Sequence, residues 1–132
     1  MATSAGGGVG DVTSYKAAHD LSSNQYRFIQ VTAANTVGST GISGTTKCGI
    51  LQNEPAVAGL GADVMFTGIS KLVMGGTCSA GNRLESGTDG RGVIADSGTT
   101  SFCNAEALEA ASAAGDIISV NQVAFINTSA TA

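Results

Sequence analysis

The sequence predicts an all-β protein: a single compact β-barrel or sandwich-like domain of short strands, with a flexible glycine-rich N-terminal arm and at most one short helix. Three observations predict it. Glycine supplies 19 of the 132 residues and there is one proline, so the chain turns often without rigid breaks. Runs of about five residues, rich in β-branched and aromatic side chains, recur between turn signals roughly every 8 to 12 residues. The long helical stretches that would join parallel strands into βαβ units are missing from the pattern.

The elements follow in order. Residues 1–14 form the arm, because Gly6, Gly7, Gly8 and Gly10 bury too little surface to offset their ordering entropy. The main domain is expected over 15–126 and a frayed tail over 127–132. "NQYRFIQVTA" (24–33) alternates Tyr26, Phe28 and Gln30 against Arg27, Ile29 and Val31, which is a strand pattern. "NTVGSTGISGTT" (35–46) has the composition of a loop. "KCGILQ" (47–52) reads as the next strand and Pro55 as its stop. "DVMFTGISKLVMGG" (63–76) gives two short strands around a bend at Gly68. "NRLES" (82–86) and "GVIADS" (92–97) flank Asp89-Gly90, a tight-hairpin signal expected to supply positive-φ residues. "DIISVNQVAFIN" (116–127) reads as one long strand.

"NAEALEAASAA" (104–114) has the strongest helix propensity in the chain. An internal echo argues against that helix. Aligning Leu51 with Leu108 lays "GILQNEPAVAG" over "EALEAASAAG", each leading to an Asp-led strand at Asp63 and Asp116. "TCSAGNRLES" (77–86) carries the same turn before a strand. If 48–54 is strand, 103–109 is predicted to be strand too, with a short helix as the alternative.

Charge and composition exclude several functions. Charged residues make up 12%, about half the usual share, and aromatics 5%. So few charges point to a surface partly covered by neighbouring subunits. The net charge of -4 and the scattered basic residues Lys16, Arg27, Lys47, Lys71, Arg83 and Arg91 argue against direct nucleic-acid binding. No apolar run approaches the ~18 residues of a membrane-spanning helix, and the N-terminus lacks a signal-peptide pattern. A soluble protein assembled in a cytoplasm is expected. Cys48, Cys78 and Cys103 fit neither a zinc pattern nor a disulfide framework, and are expected to be buried free thiols.

No catalytic, cofactor-binding or metal-binding residue is assigned. The sharpest catalytic lookalike is "VIADSGTTSF" (93–102), which resembles the Asp-Ser-Gly-Thr loop of pepsin-like proteases and would make Asp96 the catalytic acid of a dimer. Only 36 residues follow Asp96, too few for the elements that succeed this loop in that family. The single histidine, His19, has no Gly-x-Ser-x-Gly elbow to accompany it. "GGGVG" lacks the Gly-Lys-Ser/Thr of a phosphate loop. Glu54, Asp63, Glu85, Asp89, Asp96, Glu106, Glu109 and Asp116 sit one per turn or strand end, with no calcium-loop spacing. Glu54, beside Pro55, reads as a turn or interface residue and Gln52-Asn53-Glu54 as the polar, surface-facing end of a strand.

"AHDLSSNQYRFIQVTAANTV" (18–37), "GILQNEPAVAG" (49–59), "VMFTGISKLVMGGTCSAGNRLESGTDGRGVIA" (64–95) and "ALEAASAAGDIISV" (107–120) follow one another in an order that resembles the small capsid decoration (cement) proteins of tailed bacteriophages and prophages. The likeness covers roughly residues 17–120. The glycine-rich arm, Leu60-Gly61-Ala62 and the tail from Asn121 depart from it. The resemblance implies a non-enzymatic virion protein with a β-barrel-like core and no cofactor. It would bind the outer surface of the expanded head as a homo-oligomer, a trimer before a dimer, and hold neighbouring major capsid protein subunits together. It would need neither nucleic acid nor membrane. The alternatives from the residues alone are the Asp96 protease dimer and another virion component, a head fibre or tail part reusing the same β module.

Overall fold

The computed structural model describes residues 12–43, 47–95, 101–122 and 125–127. The strands are β1 (Val12–Ala17), β2 (Phe28–Ala33), β3 (Thr36–Gly38), β4 (Gly49–Leu51), β5 (Gly61–Met65), β6 (Gly68–Val73), β7 (Arg83–Ser86), β8 (Gly92–Ile94), β9 (Ser101–Cys103), β10 (Ala105–Ala107), β11 (Ile117–Gln122) and β12 (Phe125–Asn127). The described residues contain no helix, so the fold is all-β as the composition predicts. At 104–114 the strand reading holds over the helix alternative. β10 occupies 105–107, and Ala111 then bridges Cys78.

β1-β3-β2-β4-β5 close into a barrel, and β6-β11-β10-β7-β8 form a second five-stranded sheet. The second sheet repeats the first. The β4–β5 pairs Ile50↔Met65 and Leu51↔Val64 recur 56 residues later as Glu106↔Asn121 and Ala107↔Val120 of β10–β11. Val12↔Met65 and Lys16↔Gly61 of β1–β5 recur as Ile69↔Asn121 and Val73↔Ile117 of β6–β11. Phe28↔Ile50 of β2–β4 recurs as Arg83↔Glu106 of β7–β10. The parallel pair Ala17↔Val37, which closes barrel one, recurs as the single parallel bridge Met74↔Gly92. The second sheet is thus a second barrel of the same strand order, closed by one bridge.

Loop backbones repeat as well. Leu21 N–H donates to Pro55 O, and Cys78 N–H to Ala111 O; Gly59 N–H donates to Ala17 O, and Gly115 N–H to Met74 O. Left-handed residues coincide in pairs: Tyr26 with Gly81, Asn35 with Gly90, Gly59 with Gly115. The cores correspond too. Ala17, Leu21, Ile29, Leu51, Ala62 and Val64 fill barrel one, and Met74, Cys78, Leu84, Ala107, Ile118 and Val120 fill the same places in barrel two.

The repeat breaks where the barrels join. In barrel one, Lys16 N–H donates to Asn35 O and seals the β1–β3 seam. At the same place in barrel two, Val73 N–H donates instead to Tyr26 O, and Gly90 O accepts from Phe28 N–H. Residues 26–28 are therefore inserted into the β6–β8 seam. The Phe28 and Ile50 side chains, with Ile42 and Cys48, complete the core of barrel two. Gly90 permits the approach: a Cβ there would lie 2.7 Å from Phe28 O.

Several expectations are corrected. Of the residues expected in an arm, Val12, Thr13 and Ser14 are instead strand and pair with Met65, Val64 and Asp63; pairing decides what composition leaves open. Residues 1–11 lie outside the described residues. The loop at 35–46 contains β3, three residues held between β1 and β2, with Val37 fully buried. The first long strand begins at Phe28, because Tyr26 takes φ 62° in the preceding turn. At 116–127 there are two strands, β11 and β12, and β12 pairs with β9. Asp89 is not left-handed; Gly90 alone supplies positive φ in that turn. The internal echo is real but its register is 51 with 107, not 51 with 108.

Candidate interaction surface

Among the described residues, those that the sequence singles out are not brought together. Asp96 lies outside the described residues. His19 sits in the loop after β1, with Nδ1 3.1 Å from Asp20 O and Nε2 3.3 Å from Ser39 N. With Nδ1–H donating to that carbonyl, Nε2 accepts from the Ser39 backbone, and Ser39 Oγ is 3.5 Å away. The imidazole is a loop clasp, and its Nδ1 is occupied by a carbonyl where a catalytic histidine would hold a carboxylate.

The polar end of β4 has a structural use. Gln52 Nε2 donates to Ile50 O and to Ser70 Oγ on β6, tying the barrels together. Asn53 Nδ2 donates to Gly61 O while its Oδ1 accepts from Asp63 N–H, so one side chain replaces a missing rung. In barrel two Glu109 takes that place: its Oε2 accepts from Ser119 N–H. Glu54 is exposed, and buried Pro55 presents its carbonyl to Leu21.

The three cysteines are free and buried. Burial pushes the Cys48 thiol up to about 12 and raises that of Cys103. Both thus stay protonated and unreactive at neutral pH. Among the described residues no three His, Cys, Asp or Glu side chains group to hold a metal ion. Among the described residues no helix is long and apolar enough to cross a membrane.

What the sequence reading missed is that Ile69, Leu108 and Ile117 stand half-exposed on the outside of barrel two, among Lys71, Ser119, Asn121 and Glu106. The pairing of β6, β11 and β10 lays out three rows: Val73–Ile117, then Lys71–Ser119–Leu108, then Ile69–Asn121–Glu106. Ile69, Leu108 and Ile117 are 49%, 45% and 53% exposed. The same rows on barrel one read Lys16–Gly61, Ser14–Asp63–Gln52 and Val12–Met65–Ile50. Two of those three rows carry no large apolar side chain; the third carries three, and its inner end, Met65 and Ile50, is buried. The Lys71 ammonium lies 5.6 Å from the Tyr26 ring centroid at the β6 margin. Of Ile69, Leu108 and Ile117, Leu108 is the one that the Leu51 alignment places in the core.

No protein-family model and no curated protein matches the chain. Among solved structures, the chain is similar to the head fiber gp8.5 N base of bacteriophage phi29, with a TM-score of 0.63 and 16% identity over 86% of this chain and 93% of that one. At that identity the likeness is one of fold.

Proposed function

We propose that the chain is a structural protein of a tailed-phage virion. In this reading it binds the outer surface of the head as an oligomer and holds neighbouring major capsid protein subunits together. The observation that carries the reading is the fold likeness to a phage head fibre base across nearly the whole of both chains. The ordered blocks that resemble cement proteins point to the same particle, and the low charge content suits a protein that works by covering area. Binding several subunit junctions at once would multiply weak single contacts. No reaction is part of this reading.

The test is direct. Purified protein should bind expanded heads and not proheads, and heads carrying it should release DNA at a higher temperature than heads without it. Equal stability of the two would end the cementing role. A second reading, the base of a head fibre, is favoured by the description of the phi29 protein itself. Copy number separates them: near one per major capsid protein for a shell-wide cement, a small fixed number at defined positions for a fibre base.

A further inference from the structure

We infer that the outer side of the inserted segment 26–28, where Lys71, Tyr26, Arg27 and Arg91 meet, is a cationic contact site that receives an acidic strip of the head surface. The inference rests on the virion reading and names the part of the chain that touches the partner.

The six basic residues are spread along the sequence, and the insertion of 26–28 into the β6–β8 seam gathers three of them. Phe28 points into the core of barrel two, so Arg27 points out, and its Nη1 donates to Asp89 O at 3.3 Å. On one side of the insert, the Lys71 ammonium lies 5.6 Å from the Tyr26 ring centroid. On the other, Arg91 donates its backbone N–H and its Nε to the Asp89 carboxylate. The three cations thus stand on three adjacent backbone strips, about 10 Å from first to last. Asp89 neutralises one of them. Glu109 lies on the far side of β11 from Lys71, where it accepts from Ser119 N–H.

The internal repeat provides the control. Lys71, Arg27 and Arg91 correspond to Ser14, Asn82 and Thr36, each a neutral polar side chain in the other barrel. The fold therefore needs no charge at any of the three places. Tyr26 is the sharper case, for it holds φ 62° where barrel two has Gly81 at φ 92°. A bulky residue kept in the left-handed region, where the fold accepts glycine, marks a side chain retained for what it touches. It touches Lys71.

Charge selects the occupant. The net charge of -4 opposes binding to the phosphates of nucleic acid, which respond to the field of the whole chain. An acidic protein surface is instead steered to the one side of the chain where cations are in excess.

The experiment measures association of the full chain with expanded heads. Lys71→Gln combined with Arg27→Gln should lower the association rate about tenfold at low salt, with an unchanged melting curve. At about 1 M salt, where charges are screened beyond about 3 Å, wild type and variant should converge. Lys16→Gln combined with Lys47→Gln removes the same charge elsewhere and should bind as the wild type does. A wild type that fails to bind heads at any salt would end the virion reading and this inference with it. Wild-type binding that the Lys71 and Arg27 changes leave untouched, or that the Lys16 and Lys47 changes weaken equally, would overturn this inference alone. So would loss of wild-type binding when the heads are treated with DNase, since nucleic acid would then be the occupant.

Discussion

At the seam of barrel one, Ala17 lies beside Val37; at the same place in barrel two, Met74 lies beside Gly92. A small residue faces a large one in both, with the order reversed. A Cβ on Gly92 would stand 2.6 Å from Leu72 Cδ2 and 2.9 Å from Met74 Sδ, so the methionine fills the room that Val37 fills in barrel one. The backbone differs more than the volume does. Barrel one closes with its own hydrogen bonds, whereas barrel two shares its seam with Tyr26–Phe28. A repeated fold can thus keep one core plan while reducing its own closure to a single bridge at the point where its copies are joined. The cost is dependence: barrel two needs side chains that barrel one supplies.

The largest test of that dependence is Phe28→Ala. Phe28 is fully buried in the core of barrel two, and its removal should cost about 3–5 kcal/mol in urea unfolding. Ile29→Ala, one residue on and pointing into barrel one, should cost about 2–5 kcal/mol. Hydrogen exchange then separates the pair. The first should expose the Val73 and Gly75 amides most, the second those of Lys16 and Ala18. The same pattern for both would dissolve the distinction between the barrels.

Next in size is the volume swap. Gly92→Val should cost about 1–3 kcal/mol by overpacking, and Met74→Ala about 2–5 kcal/mol by leaving a cavity. Together they imitate barrel one, and the double variant should be more stable than the two losses summed by at least about 1 kcal/mol. Simple additivity in a thermal-melt cycle would mean that the two residues do not share one space.

The side chains that staple β4 and β10 to their partners should differ by their bond count. Asn53→Ala breaks two hydrogen bonds and should cost about 1–2 kcal/mol, while Glu109→Ala breaks one and should cost about 0.5–1 kcal/mol. A larger loss at Glu109 would reverse the ranking.

The smallest effect is on acid stability. Hydrogen bonds from the Ser112 N–H and hydroxyl, and from Ala113 N–H, hold Asp116 below the ordinary carboxylate value of 3.8. Burial pushes Asp89 up, but the N–H donors and guanidinium of Arg91, aided by Arg27, outweigh it and leave it lowered too. A carboxylate lowered in the folded state stabilises above its unfolded pKa and loses that contribution as pH falls through the folded one. The melting temperature should therefore drop between about pH 5 and pH 2. Asp116→Leu, which installs the residue found at Leu60 of barrel one, should make that drop shallower. An unchanged slope would remove Asp116 from the account.

Much of the fold is legible in the sequence, and what escapes has physical reasons. Alternation and turn residues give the strands around Phe28, Ile50, Ile69, Leu84 and Ile118. Strand β3 escapes because three residues carry too little pattern; β1 and β2 hold Thr36–Gly38 from either side. The echo is visible but misregistered by one, because the match of leucine to leucine falls one residue from the paired register. Leu108 is the counterpart of Gln52 and faces water, and a one-residue slip turns every side chain to the other face. The exposure of Ile69, Leu108 and Ile117 escapes for the same reason: they look like core until the pairing shows which way they point. Legible from the start was that the carboxylates are dispersed and the thiols buried.

The insertion of Tyr26–Phe28 gives the chain a direction. Every backbone group that seals barrel one lies within residues 12–65, whereas the seam of barrel two is sealed in part by residues that a ribosome has already released. Synthesis from the N-terminus thus delivers the wedge before the seam it fills, and the first half acts as a template for the second. Pulse-labelled refolding should protect the Lys16 and Ala18 amides before those of Val73 and Gly75. The reverse order would show the second half forming without its template.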